Sequence, residues 1–416
     1  MRSRLCRVFE TLPYVGARAP LPMNAYRQWL VASVQVGGCS LSVATKPGVL
    51  AHGTTDVAAF MLAEAVARRG VAGAPCRSVH LHSGNGLVAA VAGQAGYAVQ
   101  AYDRYLPNVE ATRRTLEASG GAAPRVAHGV LATADMPSGG ADLVTIRIPT
   151  DRLGVQMAIA EAYRCLAVGG VCLLAGGNDE GVKPAARWLE RVFGGVRLDA
   201  QHSGHRLLSA VRRAGEPADP AALASPWMNP DHMRATSVSL GAGEFTQYSR
   251  PGVFSWEHLD EATAMLAETA RIAPGESVLD LGAGGGALGV VAARATQTGR
   301  VLLLDADADA VRCAARTVIG AGVHHVEVRA SDAGEAVGDA RFDVVVTNPP
   351  FHVGKATDLA VPRAFIEDSH AHLVPGGRLY LVANRTLPYE RWISDCFGTV
   401  RTVHDGRRFK VLGATR

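Results

Sequence analysis

The sequence predicts an α/β protein built from two tandem copies of one mostly parallel sheet. Three observations carry this expectation: short apolar runs alternate with helical patterns, the pattern is written twice, and a glycine-rich turn recurs at the same place in each half. At 416 residues the chain exceeds one ordinary core, since a domain takes about 150 residues. Hydrophobic residues make up 48% and charged residues 19%, a globular balance.

The repeat is the firmest of the three. "KPGVLAHGTTDVAAFMLAEAV" (46–66) aligns without gaps to "RPGVFSWEHLDEATAMLAETA" (250–270), and nine of the 21 pairs are identical, Asp56 with Asp260 among them. Downstream, "LHSGNG" (81–86) meets "LGAGGG" (281–286), "ADLVTIRIPT" (141–150) meets "FDVVVTNPPF" (342–351), and "AVGGVCLL" (167–174) meets "VPGGRLYL" (374–381). Each half closes with Phe-Gly, a strand, a turn and a strand, as in "FGTVRTVHDGRRFKVLGA". A shared order over so many elements implies a duplicated domain. The expected organisation is an N-terminal extension over 1–22, a first domain over 23–214, a Pro- and Ala-rich linker over 215–243 and a second domain over 244–416.

In the second half the elements read in order. "SVLDLG" is a strand, "ALGVVAARAT" a helix, "VLLLDA" a strand, and "DAVRCAARTVIGAG" a helix stopped by glycines. "DVVVTN" is a strand, "AVPRAFIEDSHAHL" a helix and "GRLYLVAN" a strand. Such alternation gives parallel strands with helices on both faces; the closing two-strand hairpin must add an antiparallel element.

Composition narrows the function classes. No apolar run approaches the roughly 20 residues that span a bilayer. The N-terminus has arginines without an apolar core, so it does not read as a secretory signal, and Met23 is an alternative start. Seven scattered cysteines include no CxxC pair, and the histidine pairs His324–His325 and His202/His205 lack acidic or Cys partners at ligand spacing. Reduced cytoplasmic thiols and no metal are therefore expected. Residues 1–215 hold 23 Lys and Arg against 14 Asp and Glu, a charge of +9, while 216–416 hold 19 against 24, a charge of −5. The first half thus suits an anionic partner, either through phosphate contacts or not at all if it only supports its twin.

The chemistry gathers in the second half. Gly282, Gly284 and Gly286 sit at the turn from the first strand into its helix, where a ligand can approach the backbone. "GGGALG" alone fits the dinucleotide fingerprint weakly. Asp280, two residues before the first glycine, would repel a pyrophosphate and suit a cation. Asp305 ends the second strand, placed to accept from both ribose hydroxyls, while Asp307 is better placed as a helix cap. Asp332 in "RASDA" is either an acceptor for an adenine amino group or an ordinary loop acid. Together these residues describe a pocket for a nucleoside carrying a positively charged amino-acid tail and no phosphate.

DLGAGGG, the strand-end Asp305, "SDA", NPPF and the closing hairpin occur here in the order of the class I S-adenosylmethionine-dependent methyltransferases, which the second half resembles. "RPGVFS", "TNPPFHVG", "VANRTLPYE" and "RRFKVLGA" are similar more narrowly to bacterial rRNA (guanine-N2) methyltransferases of the small-subunit type, which have a duplicated, degenerate N-terminal half. The resemblance implies two tandem Rossmann-like methyltransferase domains, each a mostly parallel seven-stranded sheet with a C-terminal antiparallel hairpin. It implies S-adenosyl-L-methionine bound by Asp280, Gly282, Gly284, Gly286, Asp305, Ala306, Asp332, Ala333 and Asn348, and a catalytic clamp of Asn348, Pro349, Pro350 and Phe351. It implies ribosomal RNA as partner, within the small ribosomal subunit, and a cytoplasmic monomer without metal.

The clamp has a physical rationale. An exocyclic base amine is a poor nucleophile because its lone pair is delocalised into the ring. The Asn348 side-chain oxygen and the Pro349 carbonyl can accept its two N–H groups and aim the lone pair at the methyl group. The two prolines stiffen the backbone, and Phe351 offers a face for base stacking, worth about 1–3 kcal/mol. The base must be unpaired or flipped out to reach them. His352 and Lys355 follow, as RNA contacts or as a solvated loop.

The first half keeps Asp103 on its second strand but has His80 for Asp280, His82 for Gly282, and Arg147-Ile148-Pro149-Thr150 for the clamp. It is expected to be a non-catalytic copy. Rival functions are the same chemistry on 23S RNA, methylation of protein glutamine or adenine N6 by a similar clamp, and a ribosome assembly factor whose methylation is incidental.

Overall fold

The computed structural model describes residues 25–71, 76–120, 124–129, 139–350 and 359–416, together with the backbone of 352–353 and 356–357. Phe351, the side chains of His352 and Lys355, and residues 1–24 with Met23 lie outside the described residues. The chain forms two compact units, one over Arg27–His232 and one over Met233–Arg416 that also takes Tyr26.

The first unit runs β1 (Leu30–Val36), β2 (Cys39–Thr45), α1 (Val57–Arg69), β3 (Arg77–Leu81), α2 (Leu87–Gln94), β4 (Ala98–Asp103), α3 (Leu106–Ser119), β5 (Arg125–His128), β6 (Ala141–Arg147), α4 (Arg152–Cys165), β7 (Leu166–Gly177), α5 (Val182–Phe193), β8 (Arg197–His202) and β9 (His205–Val211). The second repeats it as β10 (Arg234–Leu240), β11 (Gly243–Ser249), α6 (Glu261–Thr269), β12 (Val278–Leu281), α7 (Ala287–Thr296), β13 (Val301–Asp305), α8 (Ala308–Gly320), β14 (Val326–Ala330), β15 (Phe342–Thr347), β16 (His352–Val353), β17 (Ala356–Thr357), α9 (Ala360–His372), β18 (Leu373–Asn384), α10 (Tyr389–Phe397), β19 (Arg401–Asp405) and β20 (Phe409–Thr415).

Each unit holds one seven-stranded sheet, in the orders β5-β4-β3-β6-β7-β9-β8 and β14-β13-β12-β15-β18-β20-β19. The first five strands of each order are parallel, and the closing hairpin pairs antiparallel. The duplicated sheet and its antiparallel edge match the expectation from sequence. Val301–Leu304 are all buried, as a strand covered on both faces requires.

The sequence reading missed the hairpins β1–β2 and β10–β11. Strand β10 falls inside the stretch expected to be linker, and Ala222 is buried in the first unit's core, so 215–243 is not all linker. The cause is physical: Val238, Leu240 and Phe245 alternate with polar residues along the hairpin and join one apolar cluster with α6, α7 and α8. That cover explains why α7 is apolar nearly all round, since none of its faces is left to solvent.

Candidate active site in the second unit

Parallel register brings the tips of β12, β13 and β15 to one edge, with Asp280 beside Leu303 and Val346. Ligands bind at this carboxyl end, where the strand order reverses. Gly282 has φ +79° and Gly284 φ +53°, a left-handed backbone that side chains rarely adopt. Gly282 is also held by space: a Cβ there would meet the Phe365 ring at 3.0 Å and the Asn348 carbonyl oxygen at 3.9 Å. A Cβ on Gly284 would meet nothing within 4 Å among the described residues.

Asp305 ties the loop in place. It accepts from the Gly284 amide at 2.8 Å and the Asp307 amide at 2.9 Å, and it stays half-buried, with Ala306 beside it. Asp307 caps α8, as expected, by accepting from the Asp309 amide. Asp280 is fully buried, and neither of its oxygens makes a hydrogen bond of ordinary geometry. Burial, with the Asp305 charge nearby, pushes its carboxyl up to about 8, while the Gly289 backbone amide works the other way. A buried carboxylate without partners is costly. A cationic ligand group would relieve that cost, so the residues present fit a cationic tail.

Asp332 is buried and accepts a hydrogen bond from the Tyr26 hydroxyl. Ala333, next to it, has φ +48°, and the Gly334 amide is held by Asp368 at 2.7 Å. Asn348 follows the last residue of β15, half-buried, with Pro349 buried and Pro350 exposed. Its Nδ2 donates to Asp260 Oδ2 at 3.1 Å and Thr263 Oγ1 at 3.0 Å. Thr263 in turn donates its hydroxyl to Asp260 at 3.1 Å, and Asp260 caps α6 through the Thr263 amide at 2.9 Å. A carboxylate only accepts, so the Asn348 amide cannot flip. Its oxygen is directed to the opposite side.

The structure thus brings Asp280, Gly282, Gly284, Gly286, Asp305, Ala306, Asp332, Ala333, Asn348, Pro349 and Pro350 to adjoining loops at one sheet edge. Sequence reasoning missed Asp260, Thr263 and Tyr26. The identity of Asp56 with Asp260 was the available signal for one of them. Tyr26 and Asp332 are 306 positions apart, and nothing local pairs them.

The first unit has closed the same edge. His80 is buried, with Nδ1 2.8 Å from Thr145 Oγ1 and Nε2 2.9 Å from Ser78 Oγ, and burial pushes its pKa down to about 3. Burial, with Arg104 and Arg147 nearby, lowers His82 to about 4. Arg147 donates to both Asp56 oxygens at 3.0 Å and to Glu180 at 2.9 and 2.7 Å. Asp103 is buried, takes the Asn108 Nδ2 at 3.1 Å, and is raised to about 6, chiefly by burial. Among the described residues no group of three or more His, Cys, Asp or Glu could hold a metal ion, and no helix is long and apolar enough to cross a membrane.

Comparison with known proteins agrees with this geometry. The methyltransferase small domain matches residues 40–209 and again 244–413. The ribosomal RNA small subunit methyltransferase C of Pseudomonas aeruginosa strain UCBPP-PA14 is 35% identical over 250 residues, which are 60% of this chain and 71% of that one. Its counterpart in Hahella chejuensis is 41% identical over 278 residues, 66% of this chain and 78% of that one. The solved T. thermophilus 16S rRNA N2 methyltransferase RsmC, in complex with AdoMet and guanosine, superposes with a TM-score of 0.77 at 29% identity, covering 94% of this chain and 99% of that one. With the domain matched twice and both sheets in place, this chain belongs to the methyltransferase small domain family.

Proposed function

We propose that this protein transfers a methyl group from S-adenosyl-L-methionine to the exocyclic N2 of a guanine in 16S rRNA, and that only its second unit does so. The observation that carries this reading is the fixed amide of Asn348. Asp260 and Thr263 take its nitrogen, which leaves its oxygen to accept from a substrate amine.

The cofactor supplies an electrophilic methyl group on a sulfonium. The chain's residues do the rest. Asp280 receives the cationic amino-acid tail, Asp305 the ribose hydroxyls, and the turn at Asp332–Ala333 the adenine side. The Asn348 oxygen and the Pro349 carbonyl accept the two amine hydrogens and hold the nitrogen lone pair toward the methyl carbon. Bound there, the cofactor would supply the methyl group and keep the C–S electron pair, and the amine's extra proton would go to water. Orientation of this kind can be worth several kcal/mol. Phe351 is assigned to base stacking on sequence grounds.

The reading also places the protein in the cytoplasm, working on small-subunit RNA, as a monomer, because each chain carries a complete set of site residues. The first unit, with +9 of formal charge over residues 1–215, is assigned to RNA phosphates rather than to chemistry. The test is nucleoside mass spectrometry of 16S rRNA treated with the protein and S-adenosylmethionine, mapped by fragment. One new 2-methylguanosine is expected. A product on 23S RNA, on adenine or on protein glutamine would reject the assignment.

A further inference from the structure

We propose that Phe254 is a cofactor-binding residue whose ring closes over S-adenosylmethionine on Gly284 and gives its sulfonium cation an aromatic face. This rests on the function proposed above.

The two units build the same loop before the first helix of their sheet. It opens on a buried cation, Lys46 in one and Arg250 in the other. It turns through the same bond, Val49 N–H to the Lys46 carbonyl and Val253 N–H to the Arg250 carbonyl, each 3.1 Å, with both valines buried. It then passes through a left-handed residue that is not glycine, Ala51 at φ +61° and Ser255 at φ +50°. The matching turn puts Leu50 and Phe254, just before that residue, at equivalent positions in the chain, and only their side chains part.

What those side chains meet is different. Leu50 lies on the glycine turn: a Cβ on Gly84 would touch its Cδ2 at 3.6 Å, and it lines one cavity with His80, His82 and Gly84. Its amide donates to Asn108 Oδ1 at 3.0 Å, and Asn108 holds Asp103. The first unit's loop is therefore tied down over its own glycine turn. In the second unit Ala310 replaces Asn108, and the loop is held from its start instead, by Arg250 at 3.4 Å from Asp309 and by Val253 packed on Ala310 and Cys313. Among the described residues none comes within 4 Å of a Cβ on Gly284, and Phe254 is 66% exposed. The gap that Leu50 fills in one copy is left clear in the other, under a larger and aromatic side chain.

Position identifies the ligand part that fills it. Gly284 lies between Asp280, which suits the amino-acid tail, and Asp305, to which its amide is bonded. The cofactor segment joining tail to ribose carries the sulfonium, and cations favour an aromatic face within about 6 Å.

Calorimetric titration of wild type, Phe254→Ala and Phe254→Leu with S-adenosylmethionine and S-adenosylhomocysteine tests this. Phe254→Ala is expected to raise the Kd for S-adenosylmethionine roughly tenfold, in line with a cation–aromatic contact, and that for the neutral product by less. Phe254→Leu, the residue of the first unit, should restore product binding more than cofactor binding. The KM for RNA should stay unchanged. A Kd for S-adenosylmethionine within twofold of wild type in Phe254→Ala, or a loss confined to the KM for RNA, would overturn the proposal. A wild type that binds no S-adenosylmethionine would overturn the function itself, whereas normal wild-type binding with an unaffected variant overturns only this inference.

Discussion

Residues 80 and 280 stand at the same strand tip in the two units, and they meet the problem of burial in opposite ways. His80 is neutral and satisfied on both nitrogens by Thr145 and Ser78. Asp280 is equally buried with neither oxygen satisfied. The same contrast runs along each site edge. Arg147 is locked between Asp56 and Glu180, while Asn348 uses one side on Asp260 and Thr263 and keeps the other. Asp103 is sealed by Asn108, while Asp305 stays half-buried. One copy has resolved its polar groups among themselves. The other leaves them for a ligand, and tolerates the cost, as functional sites do.

Asn348→Ala should show the largest effect. Removing an aimed acceptor typically lowers kcat by about 100- to 1,000-fold; S-adenosylmethionine affinity, read by titration, should change little. A rate within threefold of wild type would sink the clamp. Next come the paired acids. Asp56→Ala leaves Arg147 short of one buried partner and should cost the first unit roughly 2–4 kcal/mol in denaturant unfolding. Asp260→Ala loses a helix cap worth about 1 kcal/mol. It also frees the Asn348 amide to turn, so kcat should fall roughly tenfold. If both acids behaved as simple caps, with equal stability losses and no change in rate, the contrast between the units would fail.

The pH dependence gives the most specific signal. Burial brings the His80 pKa down to about 3 in the folded chain from its ordinary 6.5. The unfolded chain takes the proton first on acidification, so this contribution to stability is complete above pH 6.5 and is lost as pH falls toward 3. Asp280 rises from 3.8 to about 8, so its contribution is complete below pH 3.8 and is lost as pH rises through 8. Melting curves from pH 4 to 9 should therefore lose the rise in stability between pH 4 and 6.5 in His80→Asn and the fall in stability between pH 4 and 8 in Asp280→Asn. On the proposed role of the Asp280 carboxylate, the Kd for S-adenosylmethionine should also tighten as pH rises from 6 toward 8, by up to about tenfold per unit. Unaltered slopes in both variants would show that neither group is perturbed.

Much of this was legible in the chain. The helix "ALGVVAARAT" and the strand "VLLLDA" stand where they were read, because fully buried elements write themselves as apolar runs with glycine stops. The end of β15 at Asn348 was legible because two prolines break a strand. What stayed hidden was long-range. Asn348 meets Asp260 across 88 positions, and Arg147 meets Glu180 through a residue whose repeat partner is not acidic. The hairpin β10–β11 escaped because its alternation is mostly Ser and Thr, which reads as loop until α7 needs a cover.

The central claim is that two copies of the fold leave one working site. Calorimetric stoichiometry of S-adenosylmethionine on wild type, Asp103→Ala and Asp305→Ala tests it most directly. One molecule per chain is predicted, unchanged by Asp103→Ala and abolished by Asp305→Ala. Two molecules per chain, or binding lost with Asp103 and kept without Asp305, would contradict it.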